Sequence, residues 1–139
     1  MSDAPPEILF ERQWSDAQIS IRFHVDEDMR SFAVFEGKGS MDSARQFVKM
    51  CDDAIVHFGA GYETRSLVDL RSLKGAPLRS QFLLGKWLLK NKRYVAKIAV
   101  FGGNKFEMTL ARAIMKIARM KHVGFFNVES DARSFLGFN

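Results

Sequence analysis

From residue 63 onward the chain alternates between two hydrophobic periods. The runs ETRSLVDL (63–70), YVAKIAVF (94–101) and VGFFNV (123–128) are short, apolar and rich in β-branched or aromatic residues, as strands are. Between and after them, LRSQFLLGKWLLKN (78–91), KFEMTLARAIMKIARMKH (105–122) and SDARSFLGF (130–138) read as helices. Short strands separated by helices are joined most simply as parallel neighbours in one sheet, each crossover being right-handed. An all-α or all-β fold is excluded on that pattern.

The first part of the chain follows a different rule. After Pro5-Pro6, EILFERQW and ISIRFHV read as strands, the second because Ile19, Ile21, Phe23 and Val25 alternate with polar residues. DEDM supplies turn chemistry and SFAVFEG a third strand, so the start is an antiparallel meander. In GSMDSARQFVKMCDDAIVHFG, Ser40 or Asp42 caps a helix that Gly59 and Gly61 end. At 100° per residue Ala44, Phe47, Val48, Cys51, Ala54, Ile55 and Phe58 share one face. The expected fold is α/β: a mixed sheet of about four to six strands with an N-terminal antiparallel meander followed by strand-helix crossover units. Residues 1–17 are expected to form a leader and first short strand, and 18–139 the α/β domain, within a single domain overall.

Composition bounds the function classes. Apolar residues are 47% and charged residues 27% of the 139, a globular balance. The one cysteine, Cys51, excludes an internal disulfide framework, and no thiolate cluster is present for a structural metal. The N-terminal MSDAPPEILF lacks a basic segment followed by an apolar one, and no run approaches the ~20 apolar residues of a membrane span. A soluble, cytoplasmic protein is therefore expected. The net charge of +5 permits an anionic or acidic partner.

No catalytic constellation emerges. His24 alternates outward from its strand, His57 lies off the apolar stripe of its helix, and His122 is expected at a helix C-terminus, where a cation suits the dipole. Zinc-ligand spacing is absent. Asp69 ends a strand, where it is expected to bond loop amides or pair with Arg71; Asp52 and Asp53 point about 100° apart on a helix and make no acid/base dyad. In FGGNKFE, the glycines Gly102 and Gly103 precede Asn104 and Lys105 at a helix N-terminus, whose free amides offer an anion-binding alternative to a plain capped turn. The run is neither G-x-G-x-x-G nor a Walker motif, and no cofactor is expected.

Helix 78–91 is apolar on two sides. Leu78, Phe82 and Leu89 form a stripe expected to cover the sheet; Arg79, Lys86 and Lys90 form a basic stripe; Leu83, Leu84 and Trp87 lie beyond it. Either another helix, such as the final one, covers Trp87, or the second apolar side is an interface rimmed by lysines. Gly85 would let another chain element approach closely. A second basic row, Lys105, Arg112, Lys116 and Arg119, lies opposite Phe106, Leu110, Ala113, Ile114 and Ile117, which are expected to be buried. It has no interleaved aromatics for base stacking, so nucleic acid is not an expected partner.

SLVDLRSLKG (66–75), FLLGKWLLKN, KIAVFGG and the closing VGFFNVESDARSFL together resemble the STAS domains, the sulphate-transporter and anti-sigma-factor-antagonist class. The likeness is strongest to the stand-alone bacterial branch, sometimes grouped with CRAL-TRIO-type lipid-exchange domains, and covers the chain from about residue 18. The resemblance implies a non-enzymatic, regulatory protein-binding module. In phospho-switched members a serine in an Asp-Ser-Ser-Gly run takes phosphate at the N-terminus of the helix after the DL strand. Here Ala76, Pro77, Leu78 and Arg79 stand in that place, leaving Ser72 and Ser80 as the nearby serines.

Two functional expectations follow. The first is a protein partner or self-association as a homodimer through Arg71, Lys74, Arg79, Leu83, Leu84, Lys86, Trp87 and Lys90. The second is a small anionic or lipid-like ligand held between the loops at 71–79 and 102–105, in a pocket lined by Phe101, Leu78 and Phe106.

Overall fold

The computed structural model describes residues 4–138; residues 1–3 of the expected leader, and Asn139, lie outside it. The elements are β1 (Ile8–Ser15), β2 (Ile19–Asp26), β3 (Arg30–Gly37), α1 (Met41–Phe58), β4 (Thr64–Leu73), α2 (Ser80–Asn91), β5 (Val95–Phe101), α3 (Lys105–Ala118), β6 (Val123–Phe126) and α4 (Glu129–Leu136). Among the described residues six strands form one sheet, ordered β1-β2-β3-β4-β5-β6. The first two pairings are antiparallel and the next three parallel. This is the expected meander followed by crossover units, with β1 an integral edge strand of the sheet.

Strand alternation decides which face each helix covers. Ile19, Ile21, Phe23, Val25 and Ala33 are buried under α1, with Met50, Cys51 and Ala54 packed on them. Leu70, Ile98 and Val100 are buried with Leu88 of α2 and with Met108, Ala111 and Ala118 of α3 on the same side. The alternate residues Leu67, Ala99 and Phe101 point to the opposite face, where α4 supplies Ala132 and Leu136. Among the described residues, α1, α2 and α3 therefore lie on one face and α4 on the other.

Local chemistry sets the ends of the elements. Ser40 caps α1: its Oγ accepts from the Ser43 amide at 3.0 Å, while Ser43 Oγ accepts from the Ser40 amide at 2.8 Å, a reciprocal capping box. Asn104 caps α3 through Oδ1, which accepts from the Glu107 amide. That helix stops at Ala118 because Arg119 turns left-handed (φ 56°), so it is shorter than expected and His122 lies outside it, exposed. No described helix is long and apolar enough to cross a membrane.

β4 departs from its expected end. It continues past Leu70 to Leu73, pairing Ser72 with Glu36 and Leu73 with Gly37 of β3 beyond an irregularity near Val34. Arg71 and Ser72 are thus strand residues, and the loop begins only at Lys74.

Candidate functional site: an apolar cavity beneath α2

Between the sheet and the layer of α1, α2 and α3 lies a cavity of about 200 Å³. Phe23, Ala33 and Phe35 contribute from the meander, Phe47 and Ile55 from α1, Val68 and Ile98 from the parallel strands, Leu84, Trp87 and Leu88 from α2, and Ile114 and Met115 from α3. No charged residue lines it among the described residues. Above the cavity α2 packs closely on α3. A Cβ built on Gly85 would stand 2.7 Å from Ile117 Cβ and 3.3 Å from the Ile114 carbonyl oxygen, so the close approach expected of this glycine is made to α3. On the other side α2 reaches α1 through Trp87, whose indole N–H donates to Asp52 Oδ1 at 2.7 Å.

The polar lining groups are mostly committed to one another. Ser40 and Ser43 form the cap of α1, and Ser80 Oγ donates to the Pro77 carbonyl at 2.7 Å. Ser31 Oγ donates to Ser66 Oγ at 2.6 Å, and Ser66 Oγ lies 3.1 Å from Thr64 Oγ1. Burial pushes the pKa of the Cys51 thiol well above its ordinary range, reinforced by the neighbouring Asp52 charge. Burial likewise raises that of the Tyr62 phenol. Both stay protonated near neutral pH.

The roles expected for the two sides of α2 are inverted. Leu78, Phe82 and Leu89, expected on the sheet, are 62%, 52% and 39% exposed. Leu84 and Trp87, expected on an outward interface, line the cavity, Leu83 is half-buried, and Trp87 packs against residues under both α1 and α2. The cause is lateral: α2 sits between two helices, and the side chains that wedge between α1 and the sheet win burial over those that point away from both. The final helix does not cover Trp87, because α4 lies on the opposite face of the sheet. Phe106, expected in the buried face of α3, is 49% exposed. Arg71, Lys74, Arg79, Lys86 and Lys90 are all at the surface.

Of the pocket expected between the loops at 71–79 and 102–105, the cavity shares the first side through Leu73 and Ala76, but no residue of 102–105 lines it. Phe101 is buried toward α4, and Leu78 and Phe106 face outward. At Gly102-Gly103-Asn104-Lys105 the amide of Gly102 donates to the Phe126 carbonyl, and that of Glu107 to Asn104. Glu107 itself, buried in the first turn of α3 with one carboxyl oxygen unpartnered, already sets a carboxylate near the helix's positive end. Of the two serines, Ser72 is exposed, whereas Ser80 is 2% exposed with its hydroxyl bonded inward, out of reach of a modifying enzyme.

Asp69 pairs as expected. Arg71 closes on it through its backbone amide (2.9 Å) and its guanidinium (2.8 Å to Oδ2), lies over the Phe101 ring and reaches Glu129 at 3.2 Å. Burial works to raise the Asp69 pKa, but the Arg71 hydrogen bonds and the charges of Arg71 and Arg22 outweigh it and hold the carboxyl below its ordinary value. The arrangement ties the end of β4 to α4 and leaves no free base. His24 is stacked on Phe32 at 4.6 Å with its pKa lowered by burial, and His57 packs against Phe10 and Phe58.

No family model matches the chain, and no curated protein matches it. Among solved structures, an uncharacterised protein from the DUF3478 family of Shewanella loihica PV-4, described as having a SpoIIAA-like fold, superposes with a TM-score of 0.59 at 19% identity over 98% of each chain. The fold is SpoIIAA-like. This is the STAS, or anti-sigma-factor-antagonist, fold that the sequence resembles. In this SpoIIAA-like chain, Ala76 to Arg79 occupy the connection from β4 to α2, and Ser80 opens α2 from a buried position.

The cavity is what reading along the chain missed. A void is the mismatch between three helices and a sheet, and no single segment encodes it; the one local hint was Gly85, which marks where α2 leans on α3.

Proposed function

We propose that this SpoIIAA-like protein is a non-enzymatic binding module that holds an apolar, acyl-chain-like molecule in the cavity beneath α2. The observation that carries the reading is the cavity: about 200 Å³ lined chiefly by aliphatic and aromatic side chains, with no charged residue on its walls among the described residues. Walls of this kind leave apolar surface in contact with water, and an apolar occupant that covers them gains the free energy of that burial. The anion alternative finds no support in such walls.

The test uses an uncharged, environment-sensitive fluorophore, N-phenyl-1-naphthylamine. Saturable binding, a rise in melting temperature with probe concentration, and loss of both in Ala44→Phe, which fills the cavity from α1, are expected. A stably folded wild type that neither brightens the probe nor gains stability from it would sink the reading.

A second reading is favoured by the outer face of α2. Leu78, just before α2, and Phe82 and Leu89 within it are large, exposed apolar side chains, and Arg79, Lys86 and Lys90 of the same segment are exposed with them. On this reading the module is a bacterial, cytoplasmic regulator that docks a protein partner or a second copy through this face, with Arg71 and Lys74 at its margin. Leu83, Leu84 and Trp87 then support the face from within. Light scattering over a dilution series of wild type and Phe82→Ser tests self-association: a dimer dissociated by the substitution is expected, and a dimer that survives it rules this face out.

A further inference from the structure

We infer that the cavity's occupant is an uncharged molecule bearing a hydroxyl head group, and not a fatty acid or a phospholipid. The inference rests on the cavity reading above and specifies the chemistry of its ligand.

Two independent observations carry it. The first is that, among the described residues, no Lys, Arg, His, Asp or Glu lines the cavity. A carboxylate or phosphate taken into such walls loses its hydration and gains no counter-charge, and a buried anion without a partner is strongly disfavoured.

The second is a linked set of hydroxyls on β3 and β4, distinct from the lining serines Ser40, Ser43 and Ser80, whose hydroxyls are bonded within their own helix ends. Ser31 and Ser66 stand opposite each other in the parallel register of β3 and β4, and Thr64 lies two residues before Ser66 on the same face. Their hydroxyls form a connected chain, Ser31 to Ser66 at 2.6 Å and Ser66 to Thr64 at 3.1 Å, with Thr64 directed at the Tyr94 carbonyl at 3.4 Å. All three residues, and Tyr94, line the cavity. Further along these strands the same face is Ala33, Phe35, Val68 and Leu70, which are wholly apolar.

Each hydroxyl has one proton and two lone pairs. Ser31 gives its proton to Ser66, so it has only accepting capacity left for an occupant. A ligand O–H placed at this end donates to that capacity, while its hydrocarbon lies along Phe35 and Leu84 toward the α2 N-terminus. A methyl or a carboxylate in the same position does neither: the first gives the spare accepting capacity of Ser31 no donor, and the second sets acceptor against acceptor.

The experiment is displacement of N-phenyl-1-naphthylamine from the full chain at pH 8 by three ligands of matched length: 1-octanol, its methyl ether and octanoate. Octanol is expected to displace the probe at about 100-fold lower concentration than octanoate or better, because only the protonated acid enters. Octanoate should then gain about tenfold per pH unit as pH is lowered from 8 to 6. Octanol should also exceed its ether by about 3- to 10-fold, the worth of one hydrogen bond, and Ser31→Ala should erase that margin. Octanoate matching octanol at pH 8, or an ether matching octanol in the wild type, overturns the inference while leaving the cavity reading intact. No probe binding at all overturns both.

Discussion

Replacing Gly85 by alanine should destabilise the protein, although alanine is the better helix former by about 1 kcal/mol. The added Cβ would lie 2.6 Å from Ile117 Cγ2 and 2.7 Å from Ile117 Cβ. Rotating the isoleucine about χ1 moves Cγ2 but leaves Cβ where the backbone holds it, so no rotamer relieves the second contact. The helices must instead separate by about 1 Å to bring 2.7 Å out to the ~3.5 Å of a relaxed carbon contact. Overpacking of this kind costs about 1–3 kcal/mol. Set against the propensity gain, Gly85→Ala should lose about 1 kcal/mol net, read as a shift of the urea midpoint with an unchanged m-value. The sign should reverse in an Ile117→Gly background, where both contacts with that side chain are gone and helix propensity dominates, so that Gly85→Ala there stabilises by about 1 kcal/mol. A Gly85→Ala protein more stable than wild type, or equal losses in both backgrounds, would refute the claim that α2 is seated on α3 through a missing side chain.

Three further outcomes follow from the geometry. Trp87→Ala should cost about 3 kcal/mol, at the low end for a large aromatic because the residue is only half-buried, whereas Trp87→Phe, which chiefly loses the hydrogen bond to Asp52, should cost about 1 kcal/mol; a loss below about 1 kcal/mol for the alanine variant in urea unfolding would remove Trp87 from the packed layer. The folded pKa of Asp69 is depressed below its unfolded value, so its contribution is complete above the ordinary aspartate range near 4 and is lost as pH falls through the lower folded value. Asp69→Asn should therefore be about 1 kcal/mol less stable than wild type at pH 7 and converge with it in acid, once pH has fallen below the depressed folded value; a gap that stays constant as the solution is acidified contradicts the assignment. Cys51 is buried with its thiol held protonated, so a thiol-specific reagent at pH 8 should react only as denaturant opens the core, and stoichiometric labelling within seconds in native buffer would contradict that placement.

Elements whose signals are local were legible in the sequence. The alternation of Ile19, Ile21, Phe23 and Val25, the stripe on α1, its Ser40 cap and the Asn104 cap of α3 depend on residues a few positions apart, and each lies where its pattern put it. What depended on a distant neighbour was not legible. The last three residues of β4 read as loop because Arg71, Ser72 and the approaching Lys-Gly are loop-like, yet β3 continues alongside and pairs with them. The two apolar sides of α2 were visible, but which one is buried is decided by α1 and α3, and a helical wheel has no knowledge of either. The candidate site suffered most, since its walls come from four strands and three helices and its polar spot arises only when β3 and β4 come into register.

The order of the strands across the sheet is also their order along the chain. Every strand therefore joins a neighbour already made, and none has to be threaded between two existing ones. Each closure spans one hairpin or one crossover, which keeps the entropic cost of each step small. Such a sheet can be laid down as the chain leaves the ribosome, from the β1–β2 hairpin toward β6, with the α2 side covered progressively and the opposite face sealed last by α4. A copy halted after α3 would be an intact five-stranded sheet with β5 as a bare parallel edge, and its exposed Ala99–Phe101 face would be where mispairing with another chain begins.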